Sequence, residues 1–442
     1  MDLIAPIDVF LSADLNALRD AYDEDARQWS DAQLIAAIAD VIAIPKEAPA
    51  DSFVLHAPLE LLARATLLPQ VDPERRAEAR LRLLWLGATY ATAAASLPVS
   101  GHDRTRSGPT GMGDAVSHLL AALDSGDLDD VDYLSMWVGQ RATPAEMAEV
   151  LADSVVASLA AAGHASILLD LLPRVPEATP VTATLLRGPA RELARHPEWR
   201  LRWFEDPTDS SSGNPQSGSL LDALADIPML GLPGSNFIFP IMQQAEESGI
   251  AAKLLAGVAT GDPDPTRVRL ELSRVAAWSM LQEPPDHAPY GWSHCLTMPQ
   301  SVLGLAGRGA TARRAVAVAA THVVGFRAAM AQRVLDPAFV PPLPATGDMA
   351  EALTLGRLEA AATVWHASEA DLATHRTLLA TRAALHHDAH LAKYTLACFD
   401  AAKRDPSQPR LHLAAAASLS AWWAALPDDG LLPAASMTVD QR

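Results

Sequence analysis

Residues 143–163, TPAEMAEVLADSVVASLAAAG, carry the plainest statement of fold class in the chain. Thr143 and Glu146 stand at the spacing of a capping box, in which a hydroxyl accepts from the backbone three residues on and the acidic side chain reaches back. The run behind them is rich in alanine and leucine, which favour the helix. Ser30 and Gln33 repeat the signature ahead of LIAAIADVIA at 34–43. Both predict helix starts. Elsewhere alanine, leucine and arginine dominate, and alternating β-branched runs bounded by tight glycine turns are nearly absent. The sequence therefore predicts an all-α fold, a large multi-helix bundle around a buried cavity.

Three stretches interrupt the helical pattern. PVSGHDRTRSGPTGMG at 98–113 and EDPTDSSSGNPQSGS at 205–219 are too rich in Gly, Pro and Ser to be helical, and LDPAFVPPLPATG at 335–347 carries four prolines. The expectation is one all-helical domain over 1–442, with 205–219 the best candidate join between an N-terminal half, 1–205, and a C-terminal half, 220–442. No fixed-period repeat is present. Fragments such as GLAGRGA at 304–310 follow no convincing strand, so a dinucleotide site is not supported.

A net charge of −19 over 442 residues argues against a nucleic-acid or anionic-membrane surface, which needs clustered Lys and Arg. A small molecule is the better partner. The two cysteines, Cys295 and Cys398, cannot build a disulfide scaffold. The N-terminal MDLIAPIDVFLSADL lacks the basic region and long apolar core of a signal peptide. No charge-free apolar run is long enough to span a bilayer. The expected location is the cytoplasm.

The chemistry concentrates at 386–398, HHDAHLAKYTLAC, where histidines, an aspartate and a lysine crowd an Ala/Leu-rich helical pattern. Read as one continuous helix, it places His390 and Lys393 on a shared face, with His386 and His387 a turn earlier. Only four of the 34 basic residues are lysines, Lys46, Lys253, Lys393 and Lys403. Arginine stays protonated in proteins, whereas a lysine in a dry site can lose its proton and act as a nucleophile. Lys393 therefore invites a chemical explanation. Five further histidines, His56, His118, His164, His294 and His322, sit inside apolar helical patterns. Each alone reads as a satisfied core residue. Together they point to a shared metal, because one ion would satisfy several buried imidazoles at once. Their spacings match no standard metal motif, so the residues leave open whether His118, His322 or His387 belongs to the set.

Four segments carry a resemblance: LHAPLELLARATLL at 55–68, AGHASILLDLLPRV at 162–175, PYGWSHCLTMPQSVLGL at 289–305 and HHDAHLAKYTLACFDAA at 386–402. In this order the chain resembles the questin oxidase-like family, helical oxygenases of fungal anthraquinone and related polyketide pathways. It departs from the fungal pattern in having a single histidine in the first segment. The resemblance implies a non-haem iron held by four histidines and by a lysine that CO2 has carbamylated. Position by position these are His56, His164, His294, His390 and Lys393. It also implies O2 as co-substrate and an aromatic polyketide-like, anthraquinone-type substrate. Imidazoles plus one carboxylate-type oxygen suit a first-row metal, and five protein ligands leave about one position of an octahedral ion open. Tyr290 and Trp292, beside His294, are candidate cavity-lining aromatics.

Two other functions fit parts of the same sequence. His387-Asp388 is the adjacent pair of metal-dependent helical phosphohydrolases, with His366 and Asp400 as recruits, although little Lys or Arg is at hand to clamp a phosphate. A helical interaction protein without catalysis would use the histidines for packing alone. Metal analysis separates that reading from both enzymes.

Overall fold

The computed structural model describes residues 14–46, 52–93, 95–96, 108–175, 184–205, 224, 227, 238–260, 264–308 and 310–426. These residues form helices and connecting turns, with no strand beyond three isolated bridges, so the all-α expectation holds. None of the helices is long and apolar enough to cross a membrane. The proposed join at 205–219 falls, apart from Glu205, outside the described residues, as does most of 98–113. The proline-rich 335–347 is irregular as expected.

The helices run in chain order as α1 (Leu15–Glu24), α2 (Asp31–Ile42), α3 (Ser52–Leu67), α4 (Arg76–Ala93), α5 (Met112–Ser125), α6 (Leu128–Gly139), α7 (Pro144–Val156), α8 (Ala165–Leu171) and α9 (Arg187–Arg195). They continue as α10 (Ile238–Glu247), α11 (Ile250–Thr260), α12 (Pro265–Gln282), α13 (Ser293–Leu305), α14 (Ala312–Met330), α15 (Met349–Leu355), α16 (Arg357–His366), α17 (Glu369–Leu385), α18 (Ala389–Arg404) and α19 (Pro409–Ala424). Both capping boxes are present. Ser30 accepts from Gln33 N at 3.2 Å while Gln33 Oε1 accepts from Ser30 N at 2.8 Å. At α7, Thr143 and Glu146 make the same reciprocal pair.

Alanine does more than favour the helix. Buried alanines on α14 and α19 present small side chains that let neighbouring backbones approach, and α14 packs on α13 while α19 packs on α16 and α18. Large anchors fill the remaining space. Trp278, Trp292, Phe326, Tyr394 and Phe399 are all almost completely buried. Trp423 is buried and Trp422 packs against the same core, so this pair anchors the last helix as the sequence suggested.

Four helices, two from each half of the chain, form a closed ring: α3 packs on α18, α18 on α13, α13 on α8, and α8 on α3. Two of them carry a proline in their interior. Pro58 lies within α3 and Pro299 within α13, where a missing N–H breaks the regular ladder. A π-helical turn, Ala288–Trp292, leads into α13. Such turns insert a residue and re-aim the side chains beyond them.

One local expectation is corrected. Residues 386–398 are not one helix: α17 ends at Leu385, and α18 starts only at Ala389 with Asp388 as its N-cap. The Asp388 carboxylate takes the free N–H of His390 at 2.6 Å, which ends one helix and starts another at a new angle. His386 and His387 therefore precede α18 and do not share its face.

Candidate metal centre

The ring brings His56, His164, His294 and His390 together. All four are buried, and one nitrogen from each lies within 4.8 Å of the other three. His56 comes from the second turn of α3, His164 from the N-cap of α8, His294 from the second residue of α13 and His390 from the second residue of α18. Ring centroids are 4.5 Å apart for His56–His164, 4.6 Å for His56–His390 and 4.9 Å for His294–His390. The Nε2 atoms of His164 and His294 are 3.2 Å apart. Imidazoles bound at about 2.1 Å from an ion put neighbouring nitrogens about 3 Å apart and opposite ones about 4.2 Å apart. The observed spread fits one first-row ion with slight contraction, so the four histidines can hold a metal.

The outward nitrogens are fixed. His164 Nδ1 lies 3.2 Å from the Ala161 carbonyl, and His390 Nδ1 lies 3.1 Å from Asp388 Oδ1. His294 is bonded to backbone at Tyr290. Donating Nδ1–H outward leaves the Nε2 lone pair aimed at the centre, which is the tautomer a metal requires. Burial, then mutual repulsion with Lys393 and the other imidazoles, holds His164 well below the usual histidine range. Burial also depresses His294, chiefly with His390, and His390, with Lys393. His164, His294 and His390 are thus neutral near pH 7, as metal ligands must be.

His164 is delivered by strained backbone. Ala161 and Ala162 both have φ of 50°, in the left-handed region that costs a non-glycine residue energy, and Gly163 follows at 69°. A side chain at Gly163 would also press on the Cε end of Met298 on α13, which would have to shift, so glycine suits both the backbone angle and the packing at this turn.

A buried clamp fixes His390. Glu60, one turn after His56 on α3, accepts from Arg64 at 2.8 Å and from Arg82 at 3.1 Å. Arg64 also donates to the carbonyls of Ala383, Ala384 and His386, and Arg82 to that of His387. The three charges tie α3 to the loop whose Asp388 orients His390. Buried charge of this kind costs desolvation unless donors find acceptors, and here carbonyls at and just beyond the end of α17 supply most of them, while Arg82 Nε has none among the described residues.

Lys393 lies one turn beyond His390 and is buried, with no hydrogen-bond partner for Nζ among the described residues. Burial pushes its amine down to about 7, against the opposing pull of Asp388 and Glu60. An amine that gives up its proton near neutral pH can act as a nucleophile there, as an arginine cannot. The other buried lysine, Lys46, is used structurally, donating to Ala91 O at 3.2 Å and Ser96 Oγ at 3.3 Å. Lys253 and Lys403 are exposed.

The remaining candidates fall elsewhere. His118 is exposed and faces Asp114 at 3.5 Å, against the apolar setting its sequence suggested. His322 is buried on α14 but is not part of the cluster, and His387 is exposed and stacked on His386. The phosphohydrolase set does not assemble: His366 bonds to the Pro341 carbonyl at 2.9 Å and Asp400 pairs with Arg174. Of the aromatics, Trp292 is wholly buried with an unpartnered indole N–H. Tyr290 is 45% exposed, packs edge-on against His390 at 4.8 Å and reaches Asp388 at 3.5 Å. Burial, with the Asp388 charge, pushes its phenol up to about 12, so it stays a neutral donor. Compared with family models, curated proteins and solved structures, the chain matches none.

Proposed function

We propose that the chain is a non-haem iron oxygenase of the questin oxidase-like kind, which activates O2 to oxidise an aromatic, anthraquinone-type small molecule. The observation that carries this reading is the convergence of four buried imidazoles beside the Lys393 amine, which has no hydrogen-bond partner among the described residues. His56, His164, His294 and His390 would hold the metal through nitrogen, and carbamylated Lys393 through oxygen. Such a mixed set of nitrogens and one hard oxygen suits iron in a redox role. Bound iron supplies the electron exchange that lets O2 react with a closed-shell aromatic.

The chain's own residues do the rest. Asp388 and the backbone at Ala161 and Tyr290 keep His390, His164 and His294 each in one tautomer and orientation. Phe326, stacked 6.3 Å from His294, and buried Trp292 exclude water from the inner side. Tyr290, half-exposed over His390, marks the side from which a flat substrate meets the site, and its neutral phenol can donate to a quinone or phenolate oxygen.

The test is elemental analysis of protein purified from iron-supplemented cells, followed by O2-uptake assays with hydroxylated anthraquinones. One iron per chain and substrate-dependent O2 consumption are expected. His294→Ala and His390→Ala should each lose the metal while the chain stays helical by circular dichroism. Wild-type metal content in both variants would refute the ligand assignment, and a chain without stoichiometric metal would refute the function.

A further inference from the structure

α8, α13 and α18 share a feature that the metal centre alone does not use. Each carries its histidine at the start and then turns the same face inward, three and seven residues later: Ile167 and Leu171, Thr297 and Ser301, Lys393 and Ala397. These six side chains line one narrow cleft of about 20 Å³. At its outer end, ten residues beyond His164 and His390, stand Arg174 and Asp400. A rise of 1.5 Å per residue puts that mouth about 15 Å along the helices from the imidazoles.

The mouth is shut by charge. Arg174 bridges Asp170 on its own side and Asp400 on α18. Asp170 is buried against Gly304, where any side chain would strike its carboxylate. Arg269, Arg308 and Arg404 lie within electrostatic reach of Asp170. Four arginines around two aspartates make a positive ring on a chain of net charge −19. Inside it the wall alternates aliphatic with small polar side chains and ends on Lys393, whose Nζ has no hydrogen-bond partner among the described residues.

We propose that this cleft is the conduit by which CO2 reaches Lys393, and that the Arg174–Asp400 bridge is its gate. The proposal rests on the carbamylated lysine of the preceding reading. In the step itself the amine lone pair forms an N–C bond to CO2, a C=O π pair moves onto oxygen, and one N–H proton leaves to water. No oxidant or reductant is needed. A small neutral electrophile suits a narrow, mixed-polarity cleft that ends on a nucleophile.

The experiment follows 13C-bicarbonate incorporation by carbon NMR, using the full-length chain stripped of CO2 and metal and then reloaded with diamagnetic zinc. Two plugs and one opened gate are compared with wild type, each checked for fold by circular dichroism. Ala397→Leu and Ser301→Leu should slow label incorporation about tenfold, the rate equivalent of a modest overpacking penalty, without changing its final extent. Asp400→Asn releases one arm of Arg174 and should speed it. A carbamate signal absent from wild type, or unaltered in Lys393→Ala, would overturn carbamylation and the conduit together. A signal that depends on Lys393 but forms at one rate in all the cleft and gate variants would overturn the conduit alone.

Discussion

Asp388 joins the fold to the metal centre, and two substitutions separate what it does. Its Oδ1 accepts both the His390 backbone N–H, at 2.6 Å, and the ring Nδ1–H, at 3.1 Å. The first contact caps α18, which is worth about 1 kcal/mol against alanine. The second holds a ligand imidazole, and removing such a support costs about 10- to 100-fold in metal affinity. Asparagine caps a helix nearly as well as aspartate but carries no charge. Asp388→Asn should therefore leave the melting temperature of the metal-free chain within about 2 °C of wild type, since shifts of 2–4 °C accompany 1 kcal/mol in larger chains. Its iron affinity, measured anaerobically by chelator competition, should fall about tenfold, the lower bound for such supports. Asp388→Ala loses cap and orientation together, so both readouts should drop, affinity by up to about 100-fold. Equal iron affinity in wild type and Asp388→Asn would refute the idea that this carboxylate tunes His390. An Asp388→Ala variant with intact stability would refute the cap.

Lys393→Arg should abolish iron binding, because a permanent cation replaces the proposed carbamate, while Lys393→Glu should retain part of it through a shorter carboxylate; full loading of Lys393→Arg would rule the carbamate out. His322 is held at about 4 by burial, below the usual 6.5, so the unfolded chain binds its proton first as pH falls. Its contribution is complete above pH 6.5 and is lost between 6.5 and 4, by roughly 3 kcal/mol at 1.36 per unit; comparing urea unfolding of wild type and His322→Leu across that window should show a shallower acid slope in the variant. Ala162→Gly, normally a destabilising exchange in helical sequence, should be neutral or stabilising here, since relief of left-handed strain of about 1 kcal/mol offsets the extra freedom of the unfolded chain. A loss above about 1 kcal/mol in calorimetry would show that the turn is unstrained.

Much of this arrangement is legible in the sequence wherever the signal is local. The capping boxes at Ser30 and Thr143 form as spaced, because they need only neighbouring backbone. The rarity of lysine draws attention to Lys393, which the structure buries beside the four imidazoles, although exposed Lys253 and Lys403 show that the chain also spends lysine on plain charge. What escapes is decided by tertiary contact. Glu60 and Arg64 have the i,i+4 spacing of an ordinary surface pair, and only burial against the end of α17 makes them a clamp. Asp388 ahead of an alanine-rich run was a readable N-cap signal, but the apolar pattern on both sides disguised the break. The left-handed turn at Ala161–Gly163 is written mostly in alanine, a helix former, so only Gly163 hints at it. His118 fails for a related reason: its apolar neighbours face the core while its own side of α5 faces water.

On the proposed function, the charge balance around the four imidazoles accounts for a lysine, rather than a glutamate, at position 393. A divalent ion would bring two positive charges into a core where neutral imidazoles offer none in return. The nearby Glu60 carboxylate is already matched by Arg64 and Arg82, whereas Asp388 has no arginine or lysine ion pair among the described residues. A glutamate at 393 would supply the missing charge, but ionising it in the metal-free chain would leave a buried anion with nothing opposite, at a cost of several kcal/mol. Lys393, pushed down to about 7 by burial, can shed its charge near neutral pH while the site is empty. On the proposed reading, carbamylation would create the anion where a metal is present to hold it. Asp388 and a carbamate would then each contribute one negative charge and bring the dry site near neutrality around a divalent ion. Lys393 would be a latent carboxylate, and its placement one turn from His390 would let the same helix supply both the neutral and the anionic ligand.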